Sequence, residues 1–382
     1  MTGRERIEAA FTAEGARDLP AVICYESVFL RDHWSQLTHH PWWYLHASEP
    51  ERQLAWTRDI AAGIGQDWLQ MFPWTSLEDE EYRTIEVQPD GVFAFDRRTG
   101  RREQLAEPTV GGAGSEWGQP AEPTSLPESP EEIDARIPVP GVGEGDAVAI
   151  ENRRRTAAAV QESLGKTTWP YRHVSSPFWK TYDLFGFEGM MTLAATRPDL
   201  VKHACERYLQ VALRNVREAA EHGAAGIWIE ECFTDMISPA AYADLNKPFL
   251  GRLIDAIREA GMKSIYYFCG NPAGKWDLIL SMKMDALGME ESKKNFRTEI
   301  EDIVERVQGR CVVLGNLDAV GVLQNGSEER LRAEIRRHVE AARRNGSRFI
   351  LSLGSPVTPD TPVERVRLYC GLAHELGSGS MS

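Results

Sequence analysis

The chain is short of positive charge: 43 lysines and arginines stand against 57 aspartates and glutamates, a formal net charge of −14. A nucleic-acid partner would have to overcome repulsion between that surface and the phosphate backbone, so this class of function is set aside. Long apolar runs are missing too, and none approaches the roughly 20 residues that span a bilayer. The opening stretch MTGRERIEAAF is charged and amphipathic and does not read as a signal peptide. A soluble, cytoplasmic protein is the expectation. Cysteine is sparse: Cys24, Cys205, Cys232, Cys269, Cys311 and Cys370 show neither CxxC nor framework spacing. They are expected to be reduced thiols, mostly small core residues. Cys269 stands apart, because it follows an apolar run and precedes Gly270 and Asn271.

What is present is ample apolar material, 42% of 382 residues, enough for the large core of an enzyme. The most informative stretch is 224–291. Ala225–Ile229 reads as a short buried strand ending at Glu230, Glu231 and Cys232, with Asp235 close behind. Ser238 and Pro239 open a helix that Gly261 ends. A second strand, Ser264–Phe268, carries Tyr267 and ends at Cys269, and a third, Ala286–Met289, ends at Glu290 and Glu291. Short buried strands alternating with amphipathic helices predict a parallel sheet whose post-strand loops carry the chemistry. Further strands are expected near residues 20, 67, 168, 311 and 349. Eight strands close a (β/α)8 TIM-like barrel.

Two segments depart from that rhythm. Arg31–His46 packs His33, His39, His40 and His46 among aromatic residues, and the histidines lack the spacing that would put two imidazoles on one helical face. An aromatic flap or pocket wall is the reading preferred over a metal site. Residues 82–106 show alternating runs meeting at Pro-Asp-Gly, the pattern of a hairpin or small meander. The expectation is one barrel domain over residues 1–382 with a hairpin and loop inserted at about 82–145.

The blocks ISPAAYADLNKPF (237–249), GNLDAVGVLQNGSEERL (315–331) and NGSRFILSLGSPVTPDTPVERV resemble the uroporphyrinogen decarboxylase superfamily. The resemblance implies a distorted (β/α)8 barrel with its site at the C-terminal mouth. It also implies one of two chemistries: cofactor-free decarboxylation of tetrapyrroles, or zinc-dependent methyl transfer with corrinoid proteins or thiols. True uroporphyrinogen decarboxylases carry an arginine-rich segment after the first strand. Here that place reads CYESVFLRDHW, with Arg31 alone, and one guanidinium does not neutralise a substrate with eight carboxylates. The methyltransferase branch places His-x-Cys after one strand and a second cysteine after the last; this chain has Tyr267-x-Cys269 and Ser355 there, while Glu290 falls at a matching carboxylate position.

The expected function is therefore methyl transfer on a small molecule, as a methyltransferase or demethylase linked to a corrinoid (cobalamin) partner protein. The alternatives are a cofactor-free decarboxylase of a smaller carboxylate and, in another class, a non-catalytic binding barrel. Glu230, Glu231, Tyr267, Cys269 and Glu290 are the candidate catalytic residues, because carboxylates crowded into a cleft repel one another and hold at least one proton near neutral pH. Trp43, Trp74, His173, Asn271 and Ser355 are expected to line the substrate. Cys269 and Glu290 are the candidate zinc ligands, with Glu230, Glu231, Cys232 or a flap histidine available to complete the set. A homodimer is the default expectation for oligomeric state.

Overall fold

The structure, a computed structural model, describes residues 1–47, 49–71, 83–111, 123, 125–139 and 155–379. Its main sheet is parallel and has seven strands. They are β1 (Trp68–Gln70), β5 (Trp169–Ser175), β6 (Gly226–Glu231), β7 (Lys263–Phe268), β8 (Ala286–Met289), β9 (Val312–Leu314) and β10 (Phe349–Ile350). Spatial order follows chain order. A second, antiparallel sheet joins β2 (Arg83–Gln88), β3 (Gly91–Asp96) and β4 (Arg102–Leu105). The meander read at 82–106 is thus present, and of the remaining insertion residues 112–122, 124 and 140–145 lie outside the described residues, while Pro130–Arg136 forms a short helix.

The eighth strand position, near residue 20, is filled without a regular strand. Residues 20–23 run between the two edges of the main sheet. On one side Ala21 bridges Leu351, with Val22 N–H donating to the Leu351 carbonyl at 2.9 Å. On the other, one backbone bond, Asp67 N–H to the Ala21 carbonyl at 2.9 Å, is supplemented by side chains: Ala21 N–H donates to Asp67 Oδ2 at 2.7 Å and Ile23 N–H to Gln66 Oε1 at 3.0 Å. The segment closes the sheet into a (β/α)8 TIM-like barrel, the predicted fold. Asp67 also accepts from Arg6 Nη1 and His374 Nε2, both at 2.8 Å, and so pins the lead-in and closing helices to the base of the barrel.

Helices cover the sheet where the sequence places caps. Thr2 and Glu5 form a reciprocal capping box at the helix Gly3–Ala10. Ser327 accepts from Arg330 N–H at the start of Glu328–Arg344, whose acidic first turn and basic last turn suit the helix dipole. Ser238 caps the helix after β6 as expected, accepting from Ala241 N–H at 3.1 Å. That helix then widens into a π turn at Tyr242–Asn246 before continuing as Lys247–Glu259. The turn sets Asn246 against Glu231, where π turns often serve a site.

Inside the barrel, alternation along the strands points Trp68, Tyr171, Trp228 and Tyr267 toward one another. Trp68 lies 4.3 Å from Tyr171 and 5.5 Å from Trp228, and Trp228 stacks on Tyr267 at 4.8 Å between ring centroids. Each such pair adds about 0.5–1.5 kcal/mol beyond area burial. These rings fill the barrel as a floor beneath the C-terminal ends of the strands.

Candidate active site

β6 and β7 pair in register with Glu231 opposite Phe268, so the residues that follow, Cys232 and Cys269, leave the sheet side by side. Their sulfurs lie 3.2 Å apart, and Cys269 Sγ is also 3.6 Å from the Tyr25 hydroxyl. All six cysteines are free thiols, as expected from their spacing. The hydrogen bond with Cys269 pulls the Cys232 thiol down, but burial and the surrounding carboxylates outweigh it and leave it raised. Contact with Cys232, together with burial, holds the Cys269 thiol well above its ordinary value. The two thiols interact directly and so titrate as a pair.

Glu230 reaches the same space from β6. His173 Nε2 and Trp179 Nε1 each lie 3.2 Å from Glu230 Oε2. Burial raises this carboxyl, yet the hydrogen bond and charge of His173, with Tyr25 and Trp179, overcome it and leave the pKa lowered. Glu290, after β8, accepts the Gly270 N–H at 2.7 Å. Here burial prevails and the pKa is raised, with Glu291 and Asp235 adding repulsion. Gly270 is required at its position: φ is 87°, and a Cβ there would lie 2.3 Å from the Asp235 carboxyl. The mouth thus holds an ionised carboxylate, a carboxyl held toward neutrality and two thiols.

Other predicted residues take different places. Glu231 points through the opposite face of β6, is fully buried, and accepts from Ser176 Oγ at 2.7 Å, from Asn246 Nδ2 and from Tyr266 Oη at 3.4 Å. Burial pushes its pKa up to about 8. Tyr267 donates its hydroxyl to the Gly354 carbonyl and belongs to the floor. His173 sits at the mouth with a third of its side chain exposed, 32%. Asn271 accepts from Ala273 N–H at 3.0 Å, bracing its loop while lining a groove of about 410 Å³ beside the mouth. Ser355 donates to Glu291 Oε2 at 2.7 Å and accepts from Lys293 Nζ at 2.8 Å. Trp43 packs on the flap, its ring under the Arg52 guanidinium at 5.0 Å. Trp74 lies outside the described residues.

Two contributors escape sequence reading. Tyr25 and Phe233 hold left-handed backbones, φ 53° and 63°, which cost on the order of 1–3 kcal/mol each for non-glycine residues and cluster at functional sites. Tyr25 aims its hydroxyl at Cys269, while Phe233 packs edge-on to Trp179 at 5.1 Å to wall the site beside Glu230. No residue type in the sequence announces either conformation.

The zinc expected from the resemblance needs three protein ligands. Two sulfurs converge, but Glu290 is turned to the Gly270 amide, and Tyr267 and Ser355 are held by other partners. Among the described residues, no three His, Cys, Asp or Glu ligand atoms at the mouth lie within 4.8 Å of one another. The residues present at the mouth do not assemble the zinc set.

A family model described as uroporphyrinogen decarboxylase matches residues 146–376. The chain belongs to the uroporphyrinogen decarboxylase family. Among curated members of that family, the uroporphyrinogen decarboxylase of Roseiflexus sp. (strain RS-1) is 32% identical over 266 residues, 61% of this chain and 74% of the relative. That of Anaeromyxobacter sp. (strain Fw109-5) is 25% identical over 189 residues, 50% of this chain and 52% of the relative. The chain thus spans between about half and three quarters of the length of these curated relatives. A solved structure, a methyltransferase from Methanosarcina mazei, superposes with a TM-score of 0.67 at 17% identity, covering 98% of this chain and 99% of the other, a likeness of fold. The family's arginine-rich segment is replaced here, and Arg31, the one arginine in it, is held by Asp32 at 2.8 and 3.0 Å. The chain is a distant member, distinct from the uroporphyrinogen decarboxylases themselves.

Proposed function

We propose that this family member transfers a methyl group to or from a small molecule bound above the aromatic floor. The observation that supports this most is the convergence of Cys232 and Cys269 beside Glu290, a carboxyl held toward its neutral form, in a mouth whose first post-strand segment offers no free arginine. Glu290 has the role of general acid. As the bond between the substrate heteroatom and its methyl carbon breaks, the heteroatom keeps the electron pair and takes the Glu290 proton, leaving a carboxylate held by the Gly270 amide. Glu230, kept ionised by His173 and Trp179, orients the substrate and favours one carrying positive or hydrogen-bond-donating character. A corrinoid carried by a partner protein would supply the nucleophile that receives the methyl group. The thiol pair shapes the approach and offers a proton donor from sulfur.

The test is to incubate the purified chain with cob(I)alamin and a panel of methylated amines, ethers and thioethers, and to follow methylcobalamin formation by absorbance. Turnover that Glu290→Gln removes supports the reading. A second reading, a carboxy-lyase, draws on the same acid and on family membership: Glu290 would protonate the carbon left when carbon dioxide departs. Release of carbon dioxide from a carboxylate substrate, with no methylcobalamin formed from the panel, would replace the first reading by the second.

A further inference from the structure

The flap histidines, unsuited to a metal by their spacing alone, gain a third ligand from elsewhere in the chain. Asp59, on the helix Pro50–Ile64, lies beside His39 and His40, and the three donor atoms are all within 4.8 Å of one another. His39 Nδ1 stands 3.5 Å and His40 Nε2 3.8 Å from Asp59 Oδ2. In a tetrahedral zinc site, bonds of about 2.0–2.1 Å put neighbouring donors about 3.3 Å apart. Two edges of the triangle are therefore within about half an ångström of that size before any ion draws them in.

Neighbouring groups also hold the two segments against each other. Thr38 Oγ1 donates to Asp59 Oδ2 at 2.6 Å, and the same hydroxyl accepts from His40 N–H at 3.2 Å, so one side chain sets both partners. The His40 ring stacks on Tyr44 at 5.2 Å and 15°, and the Trp34 indole donates to the His40 carbonyl at 2.7 Å. In front, Thr38, His39 and Asp59 border an open groove, which leaves a coordination position to water. Arg367, across the groove, is turned to the Gly63 carbonyl and toward Glu364.

We propose that His39, His40 and Asp59 form a site for a borderline divalent transition metal, zinc by preference, that fastens the flap to the helix Pro50–Ile64. Two imidazoles and one carboxylate suit zinc, cobalt or nickel and do not suit the hard cations calcium and magnesium. The site is separate from the mouth and does not depend on the reaction proposed there.

The experiment uses the full chain carrying Cys232→Ala and Cys269→Ala, so that the mouth thiols take no metal, stripped with chelator and titrated with zinc by calorimetry. One equivalent should bind with micromolar affinity. His39→Ala and Asp59→Asn, added singly to that chain, should each weaken binding by more than the roughly 10- to 100-fold that losing an outer-shell partner costs. His39 is 83% exposed, so its removal leaves the fold intact, and circular dichroism checks this for both variants. Absence of a zinc equivalent in the chain without the mouth thiols would overturn the site, as would an affinity that both variants leave unchanged, which marks an adventitious ion only. Limited proteolysis addresses the fastening: zinc should slow cleavage within residues 39–46, and unchanged cleavage with zinc bound would overturn that part.

Discussion

The barrel interior and the layer between sheet and helices treat two adjacent carboxylates in opposite ways. Glu230 faces inward, is partly open to solvent, and meets His173, Trp179 and Tyr25, which keep it charged. Glu231, one residue later, faces outward into a dry layer where only neutral donors reach it, and its pKa rises to about 8. Burial acts on both; the difference is a histidine that adds charge on one side and none on the other. A charged group in the mouth is available to a ligand, whereas a neutral acid between layers braces β6 against Ser176 and the π turn at Asn246. A charged carboxylate in the mouth and a neutral one between the layers are thus sorted by strand alternation.

The sulfurs give the sharpest way to break this comparison. Cys269→Ala should reduce activity to background, and Cys232→Ala should come close to it, since each removes half of the convergent pair. Cys370→Ala, in the outer layer on the helix Val363–Gly377, should leave turnover nearly unchanged. Full activity in Cys269→Ala would end the claim that inward-facing post-strand residues carry the reaction. Next in size, Glu290→Gln should lower turnover by about 10²- to 10⁴-fold, the usual contribution of a general acid, with little change in melting temperature. An equal loss of stability and turnover would instead make Glu290 a brace for Gly270.

Much of this arrangement was legible in the sequence. The apolar runs near 20, 67, 168, 225, 264, 286, 311 and 349 all lie on barrel positions, because buried parallel strands require such runs whatever their partners. The segment near 20 has the composition of a strand, but on its Asp67 side a single backbone bond is completed by the Asp67 and Gln66 side chains, which no periodicity encodes. The sulfur pair could have been found by noting that β6 and β7 have equal lengths, so that the residues just past them emerge together. The division between Glu230 and Glu231 follows from alternation once Trp228 is set inward. Asp59 beside His39 and His40 was beyond reach, since it depends on how a flap folds back on a later helix.

A pH titration of stability isolates the outer-layer acid. The folded-state pKa of Glu231, about 8, lies above the ordinary carboxyl value of 4.5. Between those values the folded chain keeps a proton that the unfolded chain has released, so stability should fall as pH rises through that window and level off above about 8. Glu26, buried against Gln66 and Gln70 with a pKa of about 7, adds a smaller fall in the same direction that ends earlier. Urea denaturation of Glu231→Gln, which imitates the neutral acid, should show a much flatter profile between pH 6 and pH 8. Glu230→Gln should leave that part of the profile as it is, because a lowered pKa acts only below the ordinary carboxyl range. Identical slopes in wild type and Glu231→Gln would mean that the outer layer does not hold the proton.

The smallest effect should come from Tyr267, which stands inside the barrel yet below the mouth. Its hydroxyl donates to the Gly354 carbonyl, and its ring stacks on Trp228. Tyr267→Phe keeps the ring and removes the donor, leaving a buried carbonyl with one partner fewer, at a cost of about 1–3 kcal/mol in stability. Turnover should stay within a few-fold of wild type, since Cys269 keeps its contacts with Cys232 and Tyr25. A drop in turnover comparable to that of Glu290→Gln, without loss of stability, would move the boundary between floor and site down by one layer and make the tyrosine hydroxyl part of the chemistry.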